Sequence, residues 1–116
     1  MSMKKNSNNF LDYVKEVLEL FGPITTRAMF GGFGIYKNGV IFAMIADNEL
    51  YFKANDEASK FFQTYGSEPF TYQGKSGLMK MSYWRVMPEV LEDAEMLKAW
   101  FNVAIKAAKK KQNQGI

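Results

Sequence analysis

The sequence predicts a single two-layer α+β domain, an antiparallel sheet packed on helices in the order α-β(4)-α-β(2)-α. Three observations lead there. The stretch Arg27–Lys53 has almost no helical period and is broken at intervals by Gly31-Gly32, Asn38-Gly39 and Asp47-Asn48. Residues 10–21 and 88–108, on either side, carry apolar residues at helical spacing. No βαβ alternation, internal repeat or linker interrupts the order, which leaves one layered α+β unit over residues 1–116. Its ordered core is expected over about residues 8–108, with a basic polar tail at 109–116.

In the first helix, Phe10, Val14, Val17 and Phe21 form one stripe with Leu11 and Leu18 beside it. Asn8 or Asn9 is the expected N-cap, and Gly22-Pro23 ends the helix. The meander follows. Asn-Gly between apolar runs is a strong hairpin signal because both central residues of a type I′ turn need positive φ, and Asp-Asn tolerates the same region. In the third strand Val40, Phe42, Met44 and Ala46 alternate with Ile41, Ala43 and Ile45. Both faces are therefore apolar, as in a central strand covered on both sides or packed in a dimer. Asn55 or Asp56 caps a short second helix closed by Gly66. Residues 69–72 and 78–84 read as two more strands joined by a longer, looser loop around Gly74 and Gly77. Pro88 opens a last, continuous helix with the stripe Val90, Ala94, Leu97, Phe101, Ala104 and Ala108. Acidic residues crowd its start and lysines its end, as the helix dipole favours.

Composition narrows the chemistry. An apolar fraction of 47% with 23% charged residues is that of a folded domain. There is no cysteine and no histidine, so Ser-His-Asp and Cys-His nucleophiles, disulfides and zinc sites of ordinary type are excluded. No apolar run reaches the roughly 18–20 residues that span a bilayer, and no secretory leader is recognisable, so a cytoplasmic protein without membrane contact is expected. The net charge of +3 sits at the ends. Setting aside Lys4, Lys5, Lys106, Lys109, Lys110 and Lys111 leaves nine basic against twelve acidic residues. A sheet that held nucleic acid on its own face would be expected to carry the positive charge itself.

Candidate sites are few. Gly31-Gly32-Phe33-Gly34 lies between strand-like runs, so a bulge or tight bend explains it better than a phosphate loop, which needs a following helix N-terminus. Gly74-Lys75-Ser76-Gly77 lacks the upstream glycine and the helix of a Walker motif. The carboxylates lie on helix faces or beside turns, so no catalytic residue, metal ligand or cofactor is assigned. Arg27 starts a strand otherwise free of charge. It reads either as a surface arginine beside the first helix or as a guanidinium facing a carboxylate, in the fold or on a partner. The eight methionines and the aromatic fraction of 16% suit core filling, or a contact surface for another protein. The lysines at 106, 109, 110 and 111 read as a soluble helix end or as a weak, nonspecific nucleic-acid tether.

The run Arg27-Ala28-Met29-Phe30-Gly31-Gly32-Phe33-Gly34-Ile35-Tyr36, then Gly39, Phe42-Ala43, Asp47 and Leu50-Tyr51-Phe52-Lys53, resembles the signature of the TfoX (Sxy) N-terminal domain family. Tyr83-Trp84-Arg85-Val86 followed by Pro88-Glu89-Val90-Leu91-Glu92-Asp93 is similar to that family's junction into the last helix, with Met87 as a small departure. The resemblance covers roughly residues 10–108. It implies a secretion-chaperone-like α+β fold and a non-enzymatic regulator of competence genes. Such a regulator acts as a transcriptional coactivator with a protein such as the cyclic-AMP receptor protein. On that basis Arg27, Met29, Phe30 and Tyr36 are the expected contacts with a protein partner or a second copy, with Gly31 and Gly32 shaping the strand that presents them. The alternative is a nucleic-acid accessory protein binding through its C-terminal lysines.

Overall fold

The structure, a computed structural model, describes residues 7–29 and 31–114, with side chains for 9–29 and 31–109. Helix α1 (Ser7–Leu18) runs into a 3-10 turn (Glu19–Phe21). Its start at Ser7 puts Asn8 and Asn9 inside the first turn rather than at the cap. Val14 and Leu18 are fully buried.

Six strands follow around a second helix: β1 (Thr25–Met29), β2 (Gly32–Lys37), β3 (Val40–Ala46), β4 (Glu49–Lys53), α2 (Asp56–Thr64), β5 (Pro69–Gly74) and β6 (Gly77–Val86). They form one sheet in the order β1-β2-β3-β4-β6-β5. All five pairings are antiparallel, as the α+β reading expects. The meander turns are the ones the sequence signals. Asn38 and Gly39 have φ of 54° and 82°, and Asp47 and Asn48 have 51° and 61°. The side chain of Asn55 caps α2, accepting from the Ala58 N–H at 2.9 Å. Gly66 (φ 88°) ends it in a Schellman turn, with Ser67 N–H on the Phe62 carbonyl at 3.1 Å and Gly66 N–H on that of Gln63 at 2.9 Å.

Three sequence expectations change. The β5–β6 connection is not long and loose: the ladder continues to a Gly74–Gly77 pair, leaving only Lys75-Ser76 between the strands. Glycine permits this, because a Cβ on Gly74 would lie 2.7 Å from Met79 Cγ. The last helix is not continuous. A short α3 (Pro88–Leu91) is followed by α4 (Ala94–Gln114), and Asp93 makes the break. Its carboxylate accepts from the Met96 N–H at 3.1 Å, so it acts as a new N-cap. Finally, β3 does not alternate cleanly. Ile35 faces Ala43 but Tyr36 faces Ile41, so Phe42 is an extra, bulged residue that turns into the core with Ala43 and Ile45.

The core lies between the helices and a single face of the sheet. It is built from Ile35, Phe42, Ala43, Ile45, Leu50, Phe52 and Val86 below, and Val14, Leu18, Phe62, Leu97, Trp100 and Phe101 above. Helix α4 crosses β3 and β4, burying Leu97, Trp100 and Phe101 in its first half and only the small Ala104, Ala107 and Ala108 further on. Phe101 meets Phe42 edge-on at 5.2 Å across the two layers, and Phe62 meets Trp100 at 4.8 Å between α2 and α4.

Gly32 is fixed by space rather than by dihedral freedom, since a Cβ there would collide with the Ile45 carbonyl oxygen of β3. Gly31, at φ 79°, has nothing within 4 Å of the same position. We expect Gly32→Ala to lower the unfolding free energy by about 3 kcal/mol, the upper range for overpacking. Gly31→Asn should lower it by less than about 1 kcal/mol, because asparagine tolerates positive φ. Urea denaturation of both variants checks the contrast; equal losses would contradict it.

Candidate interaction surface

Strand residues alternate between faces, so the core on one side defines a second set of side chains on the other. The ladders align Arg27, Gly34, Met44, Tyr51 and Arg85 in one row across β1, β2, β3, β4 and β6. A second row, Thr25, Tyr36 and Ile41, runs beside it, and Lys53 pairs with Tyr83 further along β4 and β6. None of these residues belongs to the core cluster that the described helices cover. Met29, Tyr36, Ile41, Met44, Tyr51 and Phe70 are half-buried.

The arrangement has a local cause. Gly34 carries no side chain, and Met29, Ile41 and Tyr36 converge over it: a Cβ there would lie 2.9 Å from Met29 Sδ, 3.1 Å from Ile41 Cδ1 and 3.2 Å from Tyr36 Cε1. The Arg27 guanidinium lies over the Tyr36 ring, 6.0 Å from its centroid. Lys53 Nζ lies over Tyr83 at 4.8 Å, and Tyr51 meets Phe70 edge-on at 5.0 Å. Arg85 Nε donates to Glu49 Oε1 at 3.0 Å. Both side chains are partly exposed, so this ion pair orients Arg85 more than it stabilises the fold, at about 0.2–1 kcal/mol.

Burial raises the Tyr83 phenol above its ordinary value of 10.0, helped by the nearby Tyr36. Burial also raises Tyr51, with Glu49 adding to the effect. The hydrogen bond that Arg85 donates to Glu49 raises the guanidinium above its ordinary value.

Of the contacts expected from the sequence, the fold brings Arg27, Met29 and Tyr36 together on this face. Gly31 is exposed in the β1–β2 connection, and Gly32 faces backbone. Phe30 lies outside the described residues. Met44, Tyr51, Phe70, Tyr83 and Arg85 were missed, although the two-sided apolarity of β3 pointed at Met44. Lys106 and Lys109 are exposed on α4, which runs on through Lys110 and Lys111; the side chains of those two lie outside the described residues.

Shallow depressions lie on this face and beside the helices. One of about 630 Å³ is lined by Asp47, Tyr51, Glu68, Phe70, Lys80 and Arg85, and mixes both charges in the open. Another, of about 300 Å³, lies between α2 and the start of α4, where Asp93 is engaged in capping. No cluster of metal-ligating residues occurs among the described residues. None of the described helices is long and apolar enough to cross a membrane.

The family model of the TfoX N-terminal domain matches residues 16–108, spanning the sheet and most of the helical layer. The chain belongs to the TfoX N-terminal domain family. It is 27% identical over 86 residues to the DNA transformation protein TfoX1 of Aliivibrio fischeri, covering 74% of this chain and 39% of that protein. It is also 27% identical over 84 residues to Protein Sxy of Escherichia coli, covering 72% of this chain and 40% of that protein. The chain thus spans about two-fifths of the length of these relatives. The open sheet face lies within the TfoX N-terminal match, whereas Lys109, Lys110 and Lys111 lie beyond it.

The raised tyrosines give a pH test. A phenol whose folded value exceeds its unfolded one stabilises the fold below pH 10, and that stability is lost as pH rises through the folded value. The unfolding free energy should therefore fall between pH 9 and 11, and fall less steeply in Tyr83→Phe. Urea titrations at both pH values check this; identical slopes in the two proteins would contradict it.

Proposed function

We propose that this chain is a non-enzymatic regulatory domain that binds a protein partner through the open face of its sheet, as a transcriptional coactivator does. One observation carries the reading: a row of Arg27, Met44, Tyr51 and Arg85 crosses five strands with no described helix over it. Tyrosine, methionine and arginine are the residues enriched in protein interfaces, and arginine and tyrosine dominate their energetic centres. The absence of histidine and cysteine from the chain supports a non-enzymatic role. Family membership supports a regulatory one and makes the cyclic-AMP receptor protein the first partner to test. A cytoplasmic location goes with this reading. Dimerisation through the same face is the other way to cover it, and light scattering separates the two.

The second reading, nucleic-acid binding through the C-terminal lysines, is favoured by the exposure of Lys106 and Lys109. Its test needs a cut no earlier than after Ala108, because Ala107 and Ala108 belong to the core. A shortened chain that loses a salt-sensitive gel shift with duplex DNA would support it.

Arg27→Ala and Met44→Lys should each reduce recovery of immobilised cyclic-AMP receptor protein at least fivefold. Both should change stability by no more than about 1 kcal/mol, since neither touches the core. Undiminished recovery with both variants would overturn the open-face reading.

A further inference from the structure

The open face ends at β1, whose outer side pairs with no described strand. Native sheets blunt such an edge with proline, a bulge, lysines or a covering element. The opposite edge is treated in this way: β5 begins with Pro69, and its register against β6 shifts between Pro69 and Thr71. Strand β1 reads Thr-Thr-Arg-Ala-Met, with no proline or lysine, and pairs with β2 without a break from Thr25–Tyr36 to Met29–Gly32. Thr25, Arg27 and Ala28 are exposed, so the edge is open on both of its faces. At its centre Arg27 is held over Tyr36 and has no carboxylate partner among the described residues.

We infer that β1 is a docking edge that takes an extended segment of a partner protein as a seventh strand, with an acidic side chain of that segment opposite Arg27. Backbone ladder bonds would supply affinity and the Arg27–carboxylate pair the register. Charge decides against a second copy as the occupant. The antiparallel register that pairs all five residues of two β1 strands about a twofold axis sets Arg27 against Arg27, and like charges directly opposite are destabilising. A central arginine on an otherwise unguarded edge thus repels its own kind and admits an acidic strand. This inference rests on the reading of the domain as a protein-interaction module, and narrows the partner to one with an exposed acidic β-segment.

The experiment uses the full chain and two capped peptides at millimolar concentration, Thr-Val-Thr-Glu-Thr-Val-Thr and the same sequence with lysine at its centre. Amide hydrogen exchange and nitrogen–proton spectra follow β1. The glutamate peptide should slow exchange at alternate β1 residues and bind at least fivefold more tightly than the lysine peptide at low salt. Arg27→Glu should reverse that order, and Arg27→Gln, a folded control, should abolish the preference. N-methylation of the glutamate peptide's ladder-facing amides should remove the protection. Exchange in β1 unchanged by either peptide, equal affinities for the two, or protection that grows with protein concentration alone would each overturn the inference. A partner that binds while β1 exchange stays unchanged would sink the edge alone. Undiminished recovery with Met44→Lys beside clear β1 protection would sink the open face alone.

Discussion

Burial on one side only is the constraint on which the rest of this structure depends. Helix α4, supported by α1, α2 and α3, covers one face of a six-stranded sheet, and the large side chains that are fully buried lie in that interlayer. An antiparallel sheet can leave its second face to solvent when that face is polar. Here it carries the half-buried Tyr36, Ile41, Met44, Tyr51 and Phe70, with no described helix in the core cluster above them. Such a face is tolerable for a lone chain because Arg27, Lys53, Glu49 and Arg85 are spread among its apolar groups. It becomes useful when another protein completes the layer.

Much of the fold was legible in the sequence because local chemistry dictates it. Asn38-Gly39 and Asp47-Asn48 occupy positive φ, the capping amide of Asn55 opens α2, and Gly66 closes it. What escaped has a separate cause in each case. The bulge at Phe42 depends on the fit between β2 and β3, and it moves one residue across the sheet. The break at Asp93 was hidden because the apolar stripe continues across it, while the competing cap is a single carboxylate. The tight Gly74–Gly77 turn looked loose because two glycines can mark either mobility or close approach.

The candidate surface divides along the same line. Arg27, Met29 and Tyr36 stand out in a short motif, and β1–β2 pairing brings them together over Gly34. Tyr83 and Arg85 arrive from a strand about fifty residues later, and only the β4–β6 ladder places them beside Tyr51 and Lys53. The TfoX N-terminal family model covers residues 16–108, while the relatives are more than twice as long as the region they share with this chain. Whatever those longer proteins add, the surface described here belongs to the shared portion.

The strand order also bears on how the chain reaches its native state. Strands β2 and β3, β3 and β4, and β5 and β6 are each joined by a turn of two residues, so those ladders close at small entropic expense. The β4–β6 ladder joins Leu50 to Val86 and is the non-local seam of the sheet. Loop closure makes such a seam the slow contact in assembly. Two hairpin modules can therefore form independently and then dock, with α2 as the tether that limits their search.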